Sequence, residues 1–216
     1  MHGAVRGVTF TLTLLLAASA TDAADSAQRA PLFKAWINGV SADEPQMQVQ
    51  RYDDDTYIIR QSIRTNFEGP FLYLLFGNDR ALLIDTGAGG LKVRPTIDRV
   101  IAEWATWHRR SSIPLVVAHS HSHGDHHQGD VEFQDRPDTT VVGLYPKDVA
   151  DFFKIASWPT QIVAYDLGGR VLDVVPTPGH QSAHIMLFDR KTRLLFSGDS
   201  LGPYRLYVPI DRKSVV

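Results

Sequence analysis

Along the chain, short runs of aliphatic and aromatic residues alternate with polar, turn-rich stretches. "TYIIRQSI" (56–63), "FLYLLF" (71–76) and "RALLID" (80–85) read as strands. "GNDR" (77–80), between the second and third, has the composition of a tight turn. The period then changes. Val93, Ile97, Val100, Ile101, Trp104 and His108 recur at three- and four-residue spacing with Pro95 in the first turn, which predicts a helix over 93–108. "IPLVVAHS" (113–120) and "TVVGL" (140–144) predict strands, and a helix follows near Lys147–Ile155. Further strands are expected at "IVAYDL" (162–167), "RVLDVVP" (170–176), "HIMLFD" (184–189) and "RLLFSGD" (193–199). Strands outnumber helices, and hairpins mix with strand–helix crossovers. The pattern is that of a layered α/β domain with a mixed sheet, not a doubly wound parallel one.

Composition narrows the chemistry. The chain is 44% hydrophobic and 21% charged with a net charge of −2, enough apolar residue for one well-buried domain. No basic stripe is present, which argues against nucleic acid as a partner. There is no cysteine, so any metal must be held by His, Asp or Glu. At the N-terminus, Arg6, the apolar run Val8–Ala18 and the small residues Ala18-Ser19-Ala20 read as a cleaved signal peptide over residues 1–20. That reading places the mature protein in the periplasm or outside the cell. The apolar run is shorter than the ~20 residues that span a bilayer, so no stable membrane anchor is expected after cleavage. Residues 21–50 read as a lead-in segment.

Four loops that follow apolar strands carry the polar residues of interest. They are "DTG" at Asp85–Gly87, "AHSHSHGDHHQGD" at Ala118–Asp130, "TPGH" at 177–180 and "SGD" at 197–199. The second holds five of the chain's nine histidines. A packed core does not select so many polar rings, and a plain surface loop more often uses Lys, Glu, Ser or Gly. His121 and His123 lie two apart, so in an extended segment both imidazoles point the same way. Gly124 lets the chain turn, so Asp125 and His126 can face a second ion close by. Parallel packing of the preceding strands is expected to bring the four loops to one edge. Neutral imidazole and carboxylate suit Zn²⁺, and also Fe or Mn.

"HSHGDH" (121–126) resembles the H-x-H-x-D-H signature of the metallo-β-lactamase superfamily. Its other landmarks follow in order: Asp85 after an early strand, His180 after Pro-Gly and Asp199 after Ser-Gly. The resemblance covers roughly Tyr57 to Asp199. It implies an αββα sandwich with mixed β-sheets over residues 51–216, the second half incomplete. It further implies that His121, His123 and His180 hold a first metal, and Asp125 and His126 a second. Asp199 bridges the two, and Asp85 is a structural aspartate supporting the histidine loop. A metal-bound hydroxide would attack the substrate, with Asp125 orienting it or taking its proton. The remaining histidines read more plainly: His184 and His108 as packing, His119 and His127 as neighbours of the ligands.

In one respect the sequence departs from the family. Members supply a further histidine well after the Asp199 position, whereas no histidine here follows His184. The expectation is a fragment of a longer enzyme, or a shortened protein working with one metal or none. The implied function is an exported metal-dependent hydrolase, with one or two zinc ions, acting on the ester, lactone, thioester or amide carbonyl of a small molecule. Three other readings stay open at this stage: a β-lactamase proper, an iron-dependent redox enzyme of the same fold, and a non-catalytic metal-binding fragment or pseudoenzyme. Phe67 and Tyr73 near the first hairpin, and Tyr204 and Tyr207 after Asp199, are candidates to line a pocket, although aromatics at such positions more often pack. The substrate loops are not legible from sequence.

Overall fold

The structure, a computed structural model, describes residues 35–201. The signal segment 1–20, the lead-in as far as residue 34, and Tyr204 and Tyr207 lie outside the described residues. Strands β1 (Met47–Asp53), β2 (Thr56–Gln61), β3 (Phe71–Phe76), β4 (Ala81–Ile84), β5 (Leu115–Ala118) and β6 (Thr139–Val141) form one sheet in that order. Neighbours are antiparallel as far as β4, then β4, β5 and β6 run parallel. A second sheet holds β7 (Val163–Asp166), β8 (Val171–Pro176), β9 (Ile185–Asp189) and β10 (Leu195–Phe196), all antiparallel. Helix α1 (Arg94–Trp107) links β4 to β5. The single turn α2 (Gly124–His127) follows β5, and α3 (Pro146–Phe153) precedes the second sheet.

Side chains in the central strands explain why these segments are apolar without alternation. Successive strand residues point to opposite faces. Leu74, Leu83 and Val117 join a core completed by Ile97, Val100, Ile101 and Trp104 of α1. Their neighbours Leu75, Leu82 and Val116 join another with Leu172, Val174, Ile185 and Leu187 of the second sheet and with Val149 and Phe153 of α3. The first sheet is therefore covered on both faces, and its middle strands need apolar residues at every position. The layered mixed α/β architecture matches the expectation. Among the described residues, no helix is long and apolar enough to cross a membrane.

Three differences from the sequence reading have simple causes. Strand β1 was not anticipated, because "MQVQRYD" interleaves Gln and Arg with its apolar residues and only Tyr52 is fully buried. The expectation that parallel packing gathers the four polar loops holds only for β4 and β5. The loops after β8 and β10 come from the antiparallel sheet, where both strands flank β9 and so point the same way. His108 caps α1 rather than sitting on its apolar face. It stacks on Trp104 at 4.2 Å, and its Nδ1 lies 2.9 Å from the Trp104 carbonyl oxygen.

The sheets are fastened at the end where β4 and β8 begin. The amides of Asn78, Asp79 and Arg80 donate to the carbonyls of Gly168 and Leu167 at 2.8–3.2 Å, joining the β3–β4 turn to the β7–β8 turn. Beside them the buried Arg170 guanidinium donates to Asp189 Oδ2 at 2.6 Å, to Thr56 Oγ1 at 2.8 Å and to the Asp55 carbonyl at 2.6 Å. One side chain thus binds both sheets.

Candidate metal centre

At the other end of the sandwich, β4, β5, β8 and β10 deliver the four polar loops. His123 is extended (φ −76°, ψ 151°) and the chain turns immediately afterwards into α2. The extended stretch sets the His121 and His123 rings 4.7 Å apart, and the helical turn swings Asp125 and His126 to the neighbouring position. His180 lies in the loop after β8, and Asp199 lies in a 3-10 turn after β10. Gly198 makes that turn possible. Its φ is +49°, and a Cβ there would lie 2.7 Å from Ser120 Cβ and 2.9 Å from His184 Nε2.

The donor atoms converge. His121 Nε2 and His180 Nε2 lie 3.1 Å and 2.9 Å from His123 Nδ1. Asp199 approaches with both oxygens: Oδ2 is 3.9 Å from His121 Nε2 and 3.6 Å from His180 Nε2, while Oδ1 is 3.3 Å from His126 Nε2. Two groups result, His121/His123/His180 and His121/His126/Asp199, and in each the ligand atoms lie within 4.8 Å of one another. Asp125 stands beside the second group, its Oδ2 3.1 Å from His126 Nε2. A cation suits the first group better than protons do. Nδ1 of His123 can donate to only one of the two facing nitrogens, whereas an ion accepts a lone pair from all three.

Electrostatics agree with that donor set. Burial, followed by the nearby His126 charge, pushes the His121 pKa down to about 2, so its lone pair is available. Burial and His180 lower that of His123. The hydrogen bond from His126 outweighs burial at Asp199 and takes its pKa to about 2, which keeps it a carboxylate. At His126 itself burial opposes protonation, but Asp85, Asp125 and Asp199 overcome it and raise the pKa to about 12. An ion entering the second group therefore displaces a proton from that ring.

Buried partners hold the ligands in place. Asp85 accepts from the Ser120 amide at 2.7 Å and its hydroxyl at 2.9 Å, and its Oδ2 lies 2.8 Å from His126 Nδ1. The Asp85 contact leaves Nε2 of His126 directed at Asp199 and Asp125. His184 is fully buried, with Nδ1 2.8 Å from Thr177 Oγ1 and Nε2 3.1 Å from Ser200 Oγ. It thereby joins the loop that carries His180 to the turn that carries Asp199.

Comparison with known proteins agrees with this geometry. The profile of the metallo-beta-lactamase superfamily matches residues 66–211, more than half of the chain. The chain belongs to that superfamily. Among curated members, it is 33% identical over 85 residues to a hydroxyacylglutathione hydrolase of Rhizobium meliloti, covering 38% of this chain and 32% of that one. It is 28% identical over 159 residues to the acyl-coenzyme A thioesterase MBLAC2 of Bos taurus, covering 59% of this chain and 57% of that one. The match thus spans less than two thirds of either relative. The solved structure of the metallo-beta-lactamase IND-7 shares the superfamily fold with a TM-score of 0.50 at 17% identity, over 77% of this chain and 79% of that one.

Against that superfamily frame, the structure brings together His121, His123, His126, His180 and Asp199, with Asp125 at their side and Asp85 behind His126. Ser120 and His184 were missed as contributors. The sequence carries no signal for Ser120 beyond its place in the histidine loop, and predicts only packing for His184. It is indeed buried, but its ring also ties two loops together. Tyr73 packs on Phe196 at 4.8 Å, whereas Phe67 is 82% exposed on the β2–β3 loop.

Proposed function

We propose that the chain is an exported zinc-dependent hydrolase that cleaves an ester, lactone, thioester or amide of a small molecule. One observation carries the reading: two ligand groups share His121, and the two oxygens of Asp199 face one group each. In this reading His121, His123 and His180 hold one ion, and His126 with Asp125 and Asp199 holds a second. When bound, zinc supplies Lewis acidity toward a carbonyl oxygen and toward water. The chain's own residues do the rest. Asp85 holds the His126 proton on Nδ1 and keeps Nε2 facing the site. Asp125 is about one quarter exposed; burial is the largest single influence and raises its pKa, but the hydrogen bond to His126, the His126 charge and a backbone hydrogen bond together outweigh it and lower the pKa below the ordinary 3.8. It is the carboxylate positioned to take a proton from attacking water. The names of the two curated relatives, a hydroxyacylglutathione hydrolase and an acyl-coenzyme A thioesterase, support a thioester or related acyl substrate.

The test is metal content per chain of the purified full-length protein beside a His121→Ala/His123→Ala variant, with both assayed on a panel of esters, lactones, thioesters and amides. Zinc and hydrolysis, both lost in the variant, are expected. A folded, zinc-supplemented sample that binds no metal would overturn the reading. Export is supported by the apolar run before Ala18-Ser19-Ala20. Protein recovered from the producing cell is expected to begin at residue 21, and a retained Met1 would count against it.

A further inference from the structure

Behind the ligand loop lies a second carboxylate–histidine pair. His119 is the first residue after β5, and Asp130 opens the 3-10 turn that follows α2. Their side chains are only 4% and 14% exposed, and His119 Nε2 lies 2.8 Å from Asp130 Oδ1. The same oxygen accepts the Thr86 hydroxyl at 2.8 Å. The other ring nitrogen of His119, Nδ1, is buried with no hydrogen-bond partner among the described residues. Among the described residues, Asp130 is therefore the one group that fixes this ring through a hydrogen bond.

The position of the pair in the chain gives it significance. His121, His123, Asp125 and His126 all lie between His119 and Asp130, so the contact closes the ligand loop at its two ends. Thr86 ties that closure to Asp85, which is the preceding residue and already holds His126. The backbone follows the same course: the Thr86 amide donates to the His126 carbonyl at 2.8 Å, and the Gln128 amide to the Gly87 carbonyl at 3.1 Å. Gly129 permits the close approach, since a Cβ there would lie 2.4 Å from the Thr86 carbonyl oxygen.

We propose that Asp130, with His119 and Thr86, is a positioning clamp that closes the ligand loop and sets its affinity for metal. None of the three belongs to either candidate ligand group. Ordering the loop before the ion arrives removes a conformational cost from binding, and outer partners of metal ligands are typically worth about 10–100-fold in affinity. The inference rests on the metal reading above.

The experiment is zinc titration of the full chain against a chromophoric chelator for wild type, Asp130→Ala, Asp130→Asn and Thr86→Val, with amide hydrogen exchange of residues 120–129 measured on the metal-free proteins. Asp130→Ala is expected to bind zinc about tenfold more weakly and to exchange faster across the loop. Asp130→Asn keeps an acceptor oxygen for both donors and is expected to stay within about threefold of wild type. Thr86→Val removes one of the two bonds, stands in if Asp130→Ala fails to fold, and is expected to show the same faster exchange. Wild-type affinity in Asp130→Ala, or in Thr86→Val where that variant stands in, would overturn the clamp. If the wild type bound no zinc, the metal reading would fail by itself. The clamp would then be judged by exchange alone, and unchanged exchange in the variants would refute it.

Discussion

Asp85 adopts a φ of +67°, a conformation that costs most side chains energy and that Asp tolerates better than most. Both of its oxygens accept hydrogen bonds from the histidine loop, so its removal frees Ser120 and His126 together. Asp85→Ala is expected to lower zinc affinity by about 10–100-fold, measured by chelator competition. Gly198→Ala makes a complementary test. The added methyl must displace Ser120 or His184, moving the Asp199 turn. Loss of ion from the group containing Asp199, with retention by the three-histidine group, is the expected outcome by metal analysis. The candidate ligands themselves were legible because imidazoles and carboxylates clustered after apolar strands have few other uses. Ser120, His184 and Asp130 were not, because their roles depend on partners distant in sequence, such as Asp85, Ser200 and Thr86.

At the level of elements, periodicity located the strands that are buried on both faces and the helix that covers one of them. The same rule concealed β1, whose edge position lets polar residues occupy most of its length. It also could not say which strands pair. Segments that read alike as short apolar runs became a parallel β4–β5 pair in one sheet and antiparallel β8–β9–β10 in the other, since pairing is set by how the layers stack. A core position in these doubly covered strands is expected to be sensitive. Leu83 is fully buried against α1, and Leu83→Ala should cost about 2–5 kcal/mol by urea unfolding. Trp107, 58% exposed at the end of the same helix, should tolerate Ala with a much smaller loss.

For the molecule as a whole, the Arg170–Asp189 pair is the strongest candidate for a single point of failure. Both side chains are at most 2% exposed, so Arg170→Ala leaves a buried carboxylate without its partner and should cost about 3–5 kcal/mol. Burial works against ionised Asp189, but its hydrogen bonds to Arg170 and Thr192 and the Arg170 charge outweigh burial and lower its pKa below the ordinary 3.8. A depressed carboxylate contributes stability that is fully present above the unfolded-state pKa and lost as pH falls through the folded one. Thermal melts should therefore show the advantage of wild type over Asp189→Asn holding steady above about pH 5 and shrinking below about pH 4.

Arg170 and the two interlocked turns sit where β4 and β8 begin, and the candidate metal ligands gather at the opposite end, in the loops after β5, β8 and β10. Loops at the ligand end can change length or composition without touching these fastenings. Selection for a new substrate and selection for a stable fold then act on different residues, and neither need wait for the other.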